Sequence, residues 1–98
     1  MDLDRLPRRI FAGILFDPWS GCWLWTNTLC RRGYGRTTSP IDRSVHRLTW
    51  KVLVGPIPDD LECDHLCRVH ACCNPAHIEL VTHAENIRRR VGPPIKEV

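Results

Sequence analysis

The run Cys67-x4-Cys72-x4-His77 constrains this chain more than any other feature. Two thiols and an imidazole recur at equal steps in one short segment. With a fourth ligand from elsewhere they make a closed Cys3His set of the kind that suits a structural zinc ion. Such a staple matters here, because a 98-residue chain folds around one thin core. The chain has six cysteines and five histidines, so other roles compete for these residues. The N-terminal segment MDLDRLPRRIFAGILFDPW lacks an export signal: acidic residues precede the arginine pair, Ile10–Phe16 is a short apolar stretch, and no small-residue cleavage site follows. Disulfides are therefore not expected, and the thiols are read as metal ligands or as small buried hydrophobes. Cys22, which opens an aromatic strand, is the fourth-ligand candidate, and Cys30, in a turn beside Arg31, is its rival. Cys73 points away from Cys72 on an extended loop, and Cys63 suits a core position in a strand.

The remaining organisation is that of a single α+β domain over residues 1–98, without repeats or low-complexity segments. The spacing of Leu6, Ile10, Ile14 and Leu15 predicts a short amphipathic helix over 4–16, stopped by Asp17-Pro18. Cys22–Thr26 reads as a strand, with Arg31–Arg36 as its return strand in a hairpin. Gly33 and Gly35 hint at a bulge there, or at close approach of another backbone. Ser44 caps a helix to Val54 whose Val45, Leu48 and Val52 face inward, and Gly55 ends it. Residues 61–91 read as strand, loop, strand, helix. Thr82 and Glu85 form a capping box for the last helix, and Gly92-Pro-Pro94 stops it.

No apolar run approaches the roughly 20 residues that span a bilayer. A membrane protein, a multidomain enzyme and a secreted knot are thereby set aside. The net charge is +3, carried by twelve arginines and two lysines, and the arginines cluster at Arg8–Arg9, Arg31–Arg32 and Arg88–Arg90. The guanidinium fork matches phosphate, so nucleic acid is the expected partner class, with an ordinary solvated surface as the alternative.

Outside the zinc set stands a second group with different chemistry. Asp64-His65 ends the first strand of the 61–91 unit, and Asn86 lies on its helix, one turn after His83. A carboxylate and an amide oxygen suit a hard divalent ion such as Mg²⁺ or Mn²⁺. An imidazole that titrates near pH 6.5 can take a proton from water. The plainer reading is a polar strand end and a solvated helix residue.

Together, Gly21-Cys-Trp-Leu-Trp25, Gly33-Tyr-Gly-Arg36, Val45-His-Arg-Leu-Thr-Trp50, Gly55-Pro-Ile-Pro58, Asp64-His-Leu-Cys67, Cys72-Cys-Asn-Pro-Ala-His77 and Thr82-His-Ala-Glu-Asn86 resemble the HNH, or ββα-metal, endonuclease superfamily. The likeness is greatest to its His-Cys box homing endonucleases and small phage HNH proteins. It implies a zinc-stabilised ββα-metal (His-Me finger) nuclease fold: a core at about 61–91, an N-terminal helix and DNA-binding hairpin at about 4–38, and flanking helices. It implies His65 as general base, Asp64 and Asn86 as ligands of the catalytic ion, and Cys22, Cys67, Cys72 and His77 as structural zinc ligands. Arg36 is the candidate grip on the scissile phosphate, and Arg31, Arg32, Arg36, His46, Arg88 and Arg89 are candidate contacts to double-stranded DNA. Many relatives carry Asn before the second strand and His on the helix, where this chain has His77 and Asn86. An alternative spelling of the motif is His65, Asn74, His83, but Asn74-Pro75 reads as a turn within the zinc loop. The expected setting is inside a bacterial host, encoded by a phage. Cutting both strands would require two sites or sequential action, so a homodimer is left open. The rival class is a zinc-stabilised nucleic-acid-binding module without catalysis.

Overall fold

A computed structural model describes residues 1–91 of the chain. The predicted stop at Gly92-Pro-Pro94 lies outside the described residues. The chain runs through a 3-10 turn at Leu3–Arg5, then α1 (Arg8–Ala12), β1 (Ile14–Phe16), β2 (Trp23–Trp25), α2 (Val45–Leu53), β3 (Leu61–His65), β4 (Ile78–Thr82) and α3 (His83–Val91). Among the described residues no helix is long and apolar enough to cross a membrane.

The single helix expected over 4–16 is not formed. Pro7 stands at the N-cap of α1 with an extended backbone, and Gly13 closes that helix after Ala12. Ile14–Phe16 then pairs antiparallel with Trp23–Trp25, Ile14 opposite Trp25. The alternation of a strand replaces the helical period, so Ile14 is buried while Leu15 is 57% exposed. The N-terminal hairpin is thus β1–β2, and Arg31–Arg36 is not its return strand. That stretch keeps only isolated bridges, Leu29 to Gly35 and Arg36 to Ser44. Gly35 does mark a close approach, but of a ring: a Cβ there would stand 2.9 Å from Trp25 Cδ1.

The core gathers Leu6, Ile10, Ile14, Trp25, Val45, Leu48 and Cys73, with Val52 packed at its edge. Val45 and Leu48 come from the inward face of α2, as the helical period requires. Ser44 occupies the N-cap of α2 without a hydroxyl cap bond, and Asp42 orders the entry by accepting from the Ser44 N–H at 2.9 Å. The ββα unit is present as expected. β3 and β4 pair antiparallel, with Asp64 opposite Glu79 and His65 opposite Ile78, and α3 packs against both. Thr82 Oγ1 accepts from the Glu85 N–H at 3.1 Å, one half of the capping box. The Glu85 carboxylate turns instead to Arg88 and Arg89.

Candidate metal centre and active-site cleft

The loop from 66 to 77 is held from two sides before any ligand is considered. Leu66 N donates to His77 O at 2.7 Å, closing the loop at its base. β2 runs along its other edge: Trp25 N donates to Ala71 O at 2.9 Å, and Cys73 N donates to Trp23 O at 2.8 Å. This contact carries Cys22, the residue before β2, to the loop. Asn74 is a structural clip, its amide donating to Gly21 O at 2.8 Å and its oxygen accepting from Ala76 N at 2.9 Å.

The Sγ atoms of Cys22, Cys67 and Cys72 and a ring nitrogen of His77 consequently lie within 4.8 Å of one another. His77 Nδ1 stands 3.6 Å from both Cys22 Sγ and Cys72 Sγ. Ligands at about 2.0–2.3 Å around a tetrahedral ion stand a little under 4 Å apart, so the cluster fits zinc in both donor type and spacing. Cys30 is not in the cluster. Cys73 lies in the core, where burial raises its thiol to about 12, and burial raises Cys63 to about 11. Both remain protonated and unreactive near neutral pH.

Cys72 also serves the second group. Its carbonyl oxygen lies 2.8 Å from His65 Nε2. A carbonyl only accepts, so Nε2 carries the proton and Nδ1 keeps its lone pair. His65 is buried, and that burial, with a smaller contribution from His70, lowers its pKa below the usual imidazole value. The Cys72 carbonyl and Asp64 act in the opposite direction. The next carbonyl, Cys73 O, accepts from Thr49 Oγ1 at 2.6 Å and ties the loop to α2.

His65 lies in a cleft of about 100 Å³ lined by Tyr34, Cys63, Asp64, His65, Arg68, His70 and Asn86. Asp64, His65 and Asn86, predicted from sequence, therefore meet at one site. Arg89 bonds Asp64 Oδ2 at 2.9 Å, Glu79 at 2.8 Å and Glu85 at 2.8 Å. It thereby bridges two carboxylates that face each other across β3 and β4, which would otherwise repel. Arg89, expected to hold DNA, is instead engaged within the fold. His46 is likewise placed against His65, ring centroids 4.8 Å apart, rather than outward. Burial chiefly, then neighbouring His65 and Arg47, push its pKa down to about 3. Arg31, Arg32, Arg36 and Arg88 are exposed, and Arg36 is not among the residues lining the cleft.

Four contributors were missed in the sequence. Tyr34 stacks on His70 at 4.4 Å with rings 9° apart. His70 Nδ1 bonds Arg32 O at 2.7 Å, joining the 31–34 segment to the loop. Arg68 has φ of 63°, the left-handed region uncommon outside glycine, and borders the cleft. Glu62 bonds both Asn86 and His83 on α3. Only Glu62 had a usable signal, because strand alternation places it on the face of Asp64.

Residues 43–88 match the model of a family described as HNH endonuclease. The chain is also similar to the protein named "Uncharacterized gene 5.3 protein" of Enterobacteria phage T3, with 40% identity over 42 residues. That alignment takes in 43% of this chain and 42% of the relative, so the chain spans less than half of the curated relative's length. No solved structure matches the chain.

Proposed function

We propose that this domain is a metal-dependent endodeoxyribonuclease that hydrolyses phosphodiester bonds of double-stranded DNA, with His65 as general base. The observation that carries the reading is the bond from His65 Nε2 to the Cys72 carbonyl at 2.8 Å. It directs the basic lone pair to Nδ1 in a neutral ring, within the cleft that Asp64 and Asn86 also line. His65 Nδ1 removes a proton from the attacking water. Asp64 and Asn86 supply oxygen ligands for Mg²⁺ or Mn²⁺. Such an ion, when bound, offsets charge developing on the phosphate and the leaving oxygen. Arg89, 2.9 Å from Asp64 Oδ2, holds that carboxylate in place.

Among the described residues Arg68 is the arginine that borders this cleft, and we assign it the phosphate contact in place of Arg36. Arg31, Arg32, Arg36 and Arg88 are the proposed contacts to the DNA backbone outside the cleft, so binding weakens steeply with salt. Zinc on Cys22, Cys67, Cys72 and His77 is structural, since protein fills all four positions and leaves none for substrate. The matched phage protein supports a phage-encoded protein acting inside a bacterial host.

The test is nicking of supercoiled plasmid by the zinc-loaded protein with Mg²⁺ or Mn²⁺, against the same protein with EDTA and against His65→Ala. Wild type nicks, EDTA stops it, and His65→Ala loses about 10²–10⁴-fold in rate while melting as a folded protein. Cleavage that survives His65→Ala overturns the assignment of the base. DNA binding without cleavage under any divalent ion supports a non-catalytic binding module instead.

A further inference from the structure

β3 meets α3 through two carboxylates at alternate positions, Glu62 and Asp64, which the period of a strand puts on one face. α3 answers with His83, Asn86 and Arg89 at successive three-residue steps, which share one side of a helix. Asp64 takes Arg89. Glu62 takes the other two: Oε1 accepts from Asn86 Nδ2 at 2.7 Å, and Oε2 lies 2.6 Å from His83 Nδ1. Both bonds are as short as charge-assisted hydrogen bonds.

The Asn86 bond carries chemical information. An ionised carboxylate only accepts, so it can engage only the NH₂ end of an amide. An amide can turn end for end, and a divalent cation binds its oxygen and is repelled by its NH₂ group. We propose that Glu62 is a positioning residue for the divalent-cation site. By holding Asn86 Nδ2 it leaves Oδ1 as the atom that the amide offers to the ion, and through His83 it is itself held at the start of α3. This rests on the reading of Asp64, His65 and Asn86 as a metal-dependent nuclease site and adds the residue that selects the ligand atom. Support of a ligand by a hydrogen-bonded neighbour commonly governs about 10–100-fold in metal affinity.

The test measures Mn²⁺ binding to the zinc-loaded protein without DNA, by loss of the free-ion electron paramagnetic resonance signal, so it needs no activity. Wild type is compared with Asn86→Ala, Glu62→Ala, Glu62→Leu and Glu62→Gln, each checked by thermal melting. Glu62→Leu fills the same volume without an acceptor and replaces Glu62→Ala should that variant melt early. Asn86→Ala and both acceptor-free variants should bind Mn²⁺ about tenfold or more weakly. Glu62→Gln should stay within about threefold of wild type, a small part of that range, because its amide oxygen accepts the same Asn86 N–H. Wild-type affinity in Glu62→Leu together with loss in Asn86→Ala overturns the role of Glu62 and leaves the metal site standing. Equal loss in Glu62→Gln and Glu62→Leu also overturns it, because the carboxylate charge, and not the direction of the amide, would then be what matters. Wild-type affinity in Asn86→Ala removes the cation site itself and the proposal with it.

Discussion

Thr49→Val removes one hydroxyl from a site with no solvent exposure and leaves the shape of the side chain unchanged. The hydroxyl lies 2.6 Å from Cys73 O and 3.0 Å from His46 O, so its single proton goes to the shorter contact. No water can replace it at a fully buried position, and the Cys73 carbonyl loses its α2 donor. Leaving a buried acceptor unmet costs about 1–3 kcal/mol. The methyl that takes the place of the hydroxyl returns a part of this, about 0.8 kcal/mol. The expected net loss is about 0.2–2.2 kcal/mol, or about 1–18 °C in Tm at the usual scaling for a domain of this size. Calorimetry with both proteins in the same excess of zinc is the measurement, because unequal metal loading shifts Tm by mass action. A Thr49→Val protein that melts with or above the wild type refutes the reasoning, for it would mean that the helix-to-loop bond contributes nothing.

Two further outcomes are expected. Elemental analysis should find about one zinc per chain in the wild type and in Cys30→Ser, and a loss of zinc with unfolding in Cys22→Ser, since only Cys22 reaches the cluster. Asp42 accepts from Ser44 N and pairs with Arg47 at 3.0 Å and Lys51 at 2.9 Å; burial opposes its charge, but these partners outweigh it and hold its pKa below the usual carboxylate value. A depressed folded pKa contributes stability above the unfolded pKa and loses it as pH falls through the folded value. The stability gap between wild type and Asp42→Asn should therefore be constant above about pH 5 and close in the acid range below about pH 4. Urea titrations across pH read it directly.

What could be read from the sequence was chiefly local. Cys67, Cys72 and His77 stand at ligand spacing in one loop, and Cys22 opens a tryptophan-rich strand, so one long-range contact completes the cluster. The ββα order followed from apolar alternation and the Thr82 cap. In the N-terminal region three residues decide between the helical and the strand period. Ile14 satisfies the helical spacing from Ile10 and also begins a strand, and only pairing with Trp23–Trp25 separates the two. The same pairing took β2 away from Arg31–Arg36, whose aromatic and glycine content is just as compatible with a strand. The destinations of charged side chains were hidden for another reason. Arg89 and Arg88 look alike in sequence, each within one turn of Glu85, but Asp64 and Glu79 reach Arg89 through cross-strand register and helix packing, which exist only after folding.

The acceptor that sets the tautomer of His65 belongs to the main chain of residue 72, whereas the sulfur offered to the metal belongs to its side chain. These two duties are separable in a way that a side-chain acceptor would not permit. Substitution at position 72 can abolish the thiol, but it cannot delete the carbonyl. What orients the imidazole is therefore the path of the loop, and an ion on the cluster would matter to it only as one means of fixing that path. A version of this domain stapled by other means, with the turn from 66 to 77 kept on the same course, would retain a correctly oriented imidazole with no cysteine at that position.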